Sequence, residues 1–160
     1  MRHLLLSLCS LFAFNAKAQT FKNPESLFDP TPYRFSHTSS VSTTGELVYI
    51  SGQSGGLGKE HLLSNSFREQ TQVALKNIVT VLDSYKIKPE NVMKITILIV
   101  DHSQEKLKIW NEEINKVWKN KPFPASTLIP VPRLAIDGML IEVDAVAFKV
   151  KKIKHSPLRH

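Results

Sequence analysis

The chain has 160 residues, 42% of them hydrophobic and 22% charged, with 21 Lys and Arg against 14 Asp and Glu. This length and composition fit one globular domain and exclude a disordered or low-complexity chain. The positive surplus lies at the ends: residues 1–18 hold two bases and residues 149–160 hold five, neither with an acid, which leaves 14 bases and 14 acids between them. This neutral body argues against a nucleic-acid-binding surface, because phosphate contacts need clustered Lys and Arg.

The first 18 residues have the features of a secretory signal peptide. Arg2 precedes an apolar run from Leu4 to Phe14, and Ala16-Lys17-Ala18 forms the small-x-small pattern after which a signal peptidase cleaves. The run is well short of the roughly 20 residues that span a bilayer. We therefore expect a periplasmic or secreted protein, with a buried N-terminal helix of a cytoplasmic protein as the alternative. Because Cys9 is the only cysteine, the mature chain would have no disulfide and no thiolate nucleophile.

The remaining chain is predicted to follow the order β-β-α-β-α-β-β after an extended lead-in at residues 19–34. Strands are indicated by β-branched and aromatic runs, and the helices by apolar residues at helical spacing. The predicted elements are strands at Phe35–Thr43 and Leu47–Ser51, a glycine-rich loop at Gly52–Gly58, a helix from the capping box Ser66–Glu69 to Tyr85, a strand at Val92–Val100, a second helix capped by Asp101 and Gln104, and strands at Ala125–Leu134 and Leu140–Lys149 joined by a turn at Asp137-Gly138. This order indicates an α+β domain at residues 19–149, with two helices on one face of a sheet.

Side-chain alternation in the strands predicts a homo-oligomer. Ile95, Ile97 and Ile99 are expected to face the helices. The other face is also partly apolar, with Leu98, Val100, Val146 and Phe148. Such a contiguous patch usually marks an interface, so we expect sheets that face inward in an assembly.

The fourth predicted strand is expected at an edge of the sheet. Pro130 and Pro132 are two residues apart, so their missing N–H groups face the same side of the strand. That side cannot pair with a neighbouring strand by a regular ladder.

No metal or cofactor site is predicted, and the C-terminal tail at residues 150–160 is expected to be a solvated end. The six histidines are scattered without an i, i+4 pair. The run Gly52–Lys59 departs from a phosphate-binding loop at Gln53 and Glu60. An arm that binds anions or anionic lipids is the alternative for the basic tail.

Several short motifs occur in the order and spacing of one known family. They are Pro32-Tyr33, Ile50-Ser51-Gly52-Gln53, Gln70 with Ala74-Leu75-Lys76-Asn77, Val92-Met93-Lys94-Ile95-Thr96 with Asp101, Asn111, Phe123-Pro124-Ala125, Val131, Arg133-Leu134, and Glu142-Val143-Asp144-Ala145-Val146-Ala147. From about Pro30 to Lys149 the chain thus resembles the RidA (YjgF/UK114) family. The resemblance implies a chorismate-mutase-like (bacillus) fold with one mixed sheet, and a homotrimer with a small-molecule pocket at each subunit interface.

The resemblance also implies an activity, the hydrolysis of 2-imino acids or their enamines to 2-keto acids and ammonia. It makes Glu142 the catalytic residue that places a water molecule, and it implies substrate contacts from Tyr33, Ser51, Gly52, Asn111 and Ser126. Each of these residues also has a purely structural interpretation; Glu142, for example, would then be a solvated carboxylate on the sheet.

One departure from the family pattern bears on this activity. The family's deaminases have an arginine where this chain has Ser126, and often a cysteine where it has Leu128. A carboxylate ligand would lose an ionic contact worth about 1.5–3 kcal/mol. Arg133 is predicted on the opposite face of the strand from Ser126. Arg34, beside Tyr33, remains the alternative cation for a ligand carboxylate. Ser126 therefore argues against efficient 2-imino acid deamination and leaves open a different hydrolysis of a C–N bond.

Two further functions remain as alternatives. Ser126 and the export signal both favour a non-enzymatic ligand-binding or chaperone-like protein. The older family labels, endoribonuclease and translation inhibitor, find no support in the neutral charge of the domain.

Overall fold

The computed structural model describes residues 19–27, 29–41, 44–119 and 122–151. Its elements are β1 (Gln19–Lys22), β2 (Thr38–Val41), β3 (Gly45–Ser54), β4 (Gly56–Leu57), β5 (Leu62–Leu63), α1 (Phe67–Ser84), β6 (Val92–Val100), α2 (Gln104–Val117), β7 (Ala125–Val131) and β8 (Ile141–Val150). Four strands form a mixed sheet in the order β3-β8-β6-β7, in which only β6 and β7 run parallel. The two helices pack on one face of this sheet, which confirms the predicted α+β fold.

The predicted domain limits leave one segment at each end of the chain, a signal peptide and a tail. The predicted signal peptide lies outside the described residues, as does the predicted tail after residue 151. Within the described ranges, neither helix is long and apolar enough to cross a membrane.

The core lies between the helices and the sheet. Ile95, Ile97 and Ile99 of β6 are fully buried on the helix side, as their alternation predicted. They pack with the buried face of α1 and with the alternate residues Ile141, Val143, Ala145 and Ala147 of β8. Because successive strand residues point to opposite faces, this burial gives the side-chain orientation from Lys94 to Val100 of β6 and from Ile141 to Val146 of β8.

The start of α1 agrees with the prediction, whereas the start of α2 differs from it. Ser66 caps α1 by accepting a hydrogen bond from the Glu69 N–H. The predicted cap of α2 at Asp101 and Gln104 is wrong, since Ser103 accepts from the Lys106 N–H at 3.2 Å. Asp101 has a left-handed φ of 48°, whereas a capping residue needs extended backbone.

The predicted extended lead-in contains a strand of its own, and the strand predicted at Phe35–Thr43 is present as Thr38–Val41. Gln19–Lys22 pairs with Thr38–Val41 in a separate two-stranded sheet. Side chains tie this small sheet to the start of β6: Gln19 Nε2 donates to the Val92 carbonyl at 3.0 Å, and Ser39 Oγ donates to the Met93 carbonyl at 2.6 Å. These two bonds, rather than apolar burial, fix its position.

The connections around the main sheet also differ from the prediction. β7 lies at the edge, as its prolines predicted, but it ends at Val131 and runs beside β6. The turn at Asp137-Gly138 therefore does not join neighbouring strands, because β6 separates β7 from β8. The glycine-rich loop is shorter than predicted, since β3 continues to Ser54 and β4 pairs with β5.

A buried carboxylate links the two helices. Glu113 of α2 is 2% exposed and forms ion pairs with Arg68 of α1 at 2.6 Å and with Lys116 at 2.7 Å. Burial acts to raise the pKa of Glu113, but hydrogen bonds from Lys116, Arg68 and Gln72 outweigh it and hold that pKa below its usual value. The ionised form therefore stabilises the folded chain.

Replacing Glu113 with glutamine should lower the free energy of unfolding by about 1–3 kcal/mol at about pH 7, because two charge-assisted bonds are lost. The depressed pKa means that the wild type loses this contribution as the pH falls through the folded-state pKa, so the difference should shrink at about pH 3. Urea denaturation at both pH values measures it. Glu112→Gln is the control, because Glu112 pairs with the same Arg68 at an exposed position, where a pair contributes less than about 1 kcal/mol. Equal losses in the two variants would contradict the prediction.

Candidate functional site

An apolar pocket of about 620 Å³ opens between α2 and the edge strand β7. Its lining residues are Tyr33, Phe35, His102, Leu107, Trp110, Ser126 and Leu128. They come from three parts of the chain: the segment before β2, the start and first turns of α2, and the start of β7. Two of the implied binding residues, Tyr33 and Ser126, thus line this pocket, and Ser126 lies on the main sheet.

Backbone pairing positions both sides of this pocket. In the parallel ladder, Ser126 and Leu128 pair with Ile95 and Ile97, so their side chains point to the helix side. On the other side, Ser36 fastens the segment that carries Tyr33: its N–H donates to the Pro124 carbonyl at 3.1 Å and its Oγ to the Phe123 carbonyl at 2.8 Å. The pocket is therefore built on rigid elements of one chain.

A second cleft, of about 520 Å³, adjoins the pocket along α2. Tyr33 and Leu107 line both, while Arg34 and Asn111 line only the second. Arg34 has a left-handed φ of 61°, and its guanidinium carbon lies 5.7 Å from the centre of the Phe123 ring. Arg34 Nε and Asn111 Oδ1 are both buried without a hydrogen-bond partner among the described residues. Tyr33, Asn111 and Ser126 thus share one continuous groove.

The other three implied site residues meet on the opposite side of the sheet. Glu142 of β8 pairs with Leu98, whose neighbours in β6 face the helices, so Glu142 points away from them. Its carboxylate lies against Gly52, where a Cβ atom would collide with Oε1. Ser51 is exposed beside it, and its carbonyl accepts from Gln53 Nε2 at 3.0 Å. A side chain at position 52 would therefore have to displace the Glu142 carboxylate.

The implied site residues therefore form two groups within one chain. Tyr33, Asn111 and Ser126 lie along the helix side, whereas Ser51, Gly52 and Glu142 lie on the open side. The sheet separates Ser126 from Glu142. Neither the apolar pocket nor the adjoining cleft is lined by Glu142.

The open face of the sheet is partly apolar, as predicted. Tyr49 is 75% exposed and Leu47 48% exposed, and Leu98 and Val146 are half-buried. Phe148 differs from the prediction, because it is 4% exposed and its ring lies against Gly45. So large an exposed patch on the central sheet is typical of an interface.

One cation lies on this apolar face. Lys94 donates to Thr127 Oγ1 and, at 3.0 Å, to the Ile95 carbonyl. Burial lowers the pKa of Lys94, and the nearby Asp144 carboxylate acts against that shift.

Among the residues that the structure describes, no three His, Cys, Asp or Glu side chains come close enough together to hold a metal ion.

Comparison with known proteins assigns this arrangement to a family. The family model described as endoribonuclease L-PSP matches residues 30–149. A RutC family protein of Aquifex aeolicus (strain VF5) is 31% identical over 129 residues, 80% of this chain and 97% of its own length. The chain belongs to the RidA (YjgF/UK114) family.

Solved structures of RidA relatives have the same fold. The Rid family protein YyfB of Yersinia pestis, of unknown function, matches with a TM-score of 0.78 and 27% identity over 82% of this chain and 99% of its own. RidA from Psychrobacter sp. PAMC 21119 matches with a TM-score of 0.59 and 22% identity over 72% and 88% of the two chains. Both agree with the chorismate-mutase-like fold that the resemblance implied.

Reasoning from the sequence did not assign Phe35, His102, Leu107 or Trp110 to a site, although all four line the apolar pocket. His102 lies two residues after the end of β6 and lines the pocket, but in the sequence it is one of six scattered histidines. Trp110 is 2% exposed and was expected only as part of the apolar stripe of α2. Their placement depends on the crossover from β6 through α2 to β7, which brings both beside Ser126.

Proposed function

We propose that the chain forms a homotrimer with a pocket between each pair of neighbouring subunits, and that these pockets hydrolyse the C=N bond of a small imine, including an imine formed by tautomerisation of an enamine. The observation that carries the proposal is the separation of Ser126 and Glu142 on opposite faces of one sheet. A homotrimer is the assembly that the family resemblance implies.

Neighbouring subunits can unite the two groups of site residues. One subunit would supply the groove with Tyr33, Asn111 and Ser126, and the next would supply Glu142 on its open sheet face. The same contact would cover the exposed apolar side chains of that face, including Tyr49. Burial of the patch and completion of the site would thus occur in one step.

Glu142 has the chemistry that such a hydrolysis needs. A carboxylate can accept a proton from water as the water oxygen attacks the imine carbon, which gives a tetrahedral carbinolamine. Proton return to the nitrogen releases ammonia and leaves a carbonyl product, so one water is consumed for each C=N bond cleaved. The position of the Glu142 carboxylate over Gly52 supports this role, because no side chain at position 52 separates it from a substrate.

Ser126 determines which imines suit the pocket. Its hydroxyl can hydrogen-bond a polar group but carries no charge, and the described residues that line the pocket include no Arg or Lys. We therefore expect weak activity toward small 2-imino acids, whose carboxylate needs a cation.

Replacing Ser126 with arginine should raise kcat/KM for 2-iminobutanoate by about tenfold or more, because a charge-assisted bond to the carboxylate is gained. The imine is generated in situ and its loss is followed in the presence of purified mature protein. Ser126→Gln is the matched control, since it adds a side chain of comparable reach without charge. A wild type as fast as the arginine variant would contradict the proposal.

Ligand binding without hydrolysis is the second candidate, favoured by the apolar lining of the pocket. It predicts ligand binding with no acceleration of imine loss and no effect of changing Glu142.

We further propose export with cleavage after Ala18, which would make Gln19, the first residue of β1, the mature N-terminus. Mass spectrometry of the protein recovered from the periplasm or medium tests this cleavage.

A further inference from the structure

The pocket beside Ser126 combines a large apolar lining with very few polar atoms. Phe35, Leu107, Trp110 and Leu128 supply aromatic and aliphatic surface, and Tyr33 adds a ring at the mouth. The volume of about 620 Å³ accommodates a ligand with an aromatic ring rather than only a short chain. Shape and composition therefore favour a phenyl-sized apolar group.

His102 contributes an unusual polar atom to this pocket. Its Nε2 is buried and has no hydrogen-bond partner in the part of the chain that the structure describes. A buried polar group without a partner has lost its hydration and gained no hydrogen bond in return. A ligand group that pairs with Nε2 would remove that cost, and Ser126 Oγ lines the same pocket.

Charge is absent from the described lining of this pocket. Lys and Arg side chains lie in the adjoining cleft instead, where Arg34 stacks over Phe123 and Lys108 and Lys116 line the outer part. A carboxylate held among Leu107, Trp110 and Leu128 would lose its hydration without gaining an ion pair. A neutral carbonyl or imine needs only hydrogen bonds, which an imidazole and a hydroxyl supply.

We infer that this pocket selects neutral arylalkyl imines and carbonyl compounds, and that His102, together with Ser126, hydrogen-bonds the C=N or C=O group. The inference rests on the proposed function, because it assigns the substrate class of the same site. His102 is then a ligand-binding residue that sets specificity, distinct from Glu142.

Binding of two isosteric probes tests the inference. We expect 3-phenylpropanamide to bind the full mature protein at least about tenfold more tightly than 3-phenylpropanoate, measured by calorimetry, because the charged probe pays an uncompensated desolvation cost. His102→Leu should weaken amide binding about three- to tenfold, the effect of one hydrogen bond, while His102→Gln retains most of it. Equal or tighter binding of the carboxylate overturns the inference, as does unchanged amide binding in His102→Leu.

Hydrolysis of a matched imine pair separates this inference from the proposed function. The probes are 2-phenylethan-1-imine, formed in situ from phenylethylamine by an amine oxidase, and 2-imino-3-phenylpropanoate, formed from phenylalanine by an amino acid oxidase. The neutral imine should be the better substrate. Faster hydrolysis of the carboxylate-bearing imine overturns the inference and leaves the proposed function standing, whereas selective binding of the amide without hydrolysis of either imine supports the inference and overturns the function.

Discussion

Glu142→Gln should lower the hydrolysis of 2-phenylethan-1-imine by about 100-fold or more, the usual contribution of a positioned general base. Glutamine has nearly the same size, so it should still fit over Gly52 while losing the ability to take a proton from water. The measurement is kcat/KM of the purified protein, together with amide binding, which should change little. This combination separates a chemical defect from a lost pocket.

Asp144→Asn is the matched control for Glu142→Gln. Asp144 lies on β8, two residues along on the same open face, and it is close to Lys94. Loss of the Asp144 carboxylate should leave kcat/KM within about threefold of wild type, because Glu142 and not Asp144 is the proposed general base. A Glu142→Gln protein with wild-type activity, or equal losses in the two variants, would contradict the catalytic role of Glu142.

Tyr49→Asp should convert the proposed trimer to monomers and abolish hydrolysis with it. Tyr49 is 75% exposed on β3, so the substitution removes no buried contact from the folded chain. In an assembly of inward-facing sheets, however, the new carboxylate would be buried against apolar residues such as Val146 without a partner. Sedimentation equilibrium measures the mass, and thermal unfolding verifies that the fold is retained.

Tyr85→Asp provides the comparison for Tyr49→Asp. Tyr85 is also an exposed aromatic residue, 41% exposed, but it follows α1 in the helix layer. It should leave both the mass and the activity unchanged. A Tyr49→Asp protein that remains trimeric would show that the open sheet face is not the interface.

Most of the fold could be predicted from the sequence, because apolar residues alternate strongly along its strands. Ile95, Ile97 and Ile99 on β6 fix both the strand and its buried face. The small sheet of β1 and β2 has no such pattern; the bonds of Gln19 and Ser39 to the start of β6 hold it, and these are visible only in three dimensions. The same holds for the left-handed Asp101, which shifts the helix cap to Ser103.

The candidate site was only partly predictable, because its residues depend on strand order. Motif positions gave Ser126 and Glu142, but their placement on opposite faces requires β6 to lie between β7 and β8. The turn at Asp137-Gly138 suggested direct neighbours instead. His102 carried no motif at all, and its significance comes from an unpartnered Nε2 beside Ser126.

Co-assembly of two inactive variants tests most directly whether each site is shared between two subunits. Glu142→Gln removes the base, and Ser126→Trp fills the groove; neither trimer alone should hydrolyse the neutral imine. Trimers formed by co-expression of the two chains in equal amounts should recover about one quarter of wild-type activity, since one interface in four pairs two intact halves under random assembly. A mixed trimer with no activity, although both chains are present in it, would mean that Ser126 and Glu142 do not serve a common site between subunits.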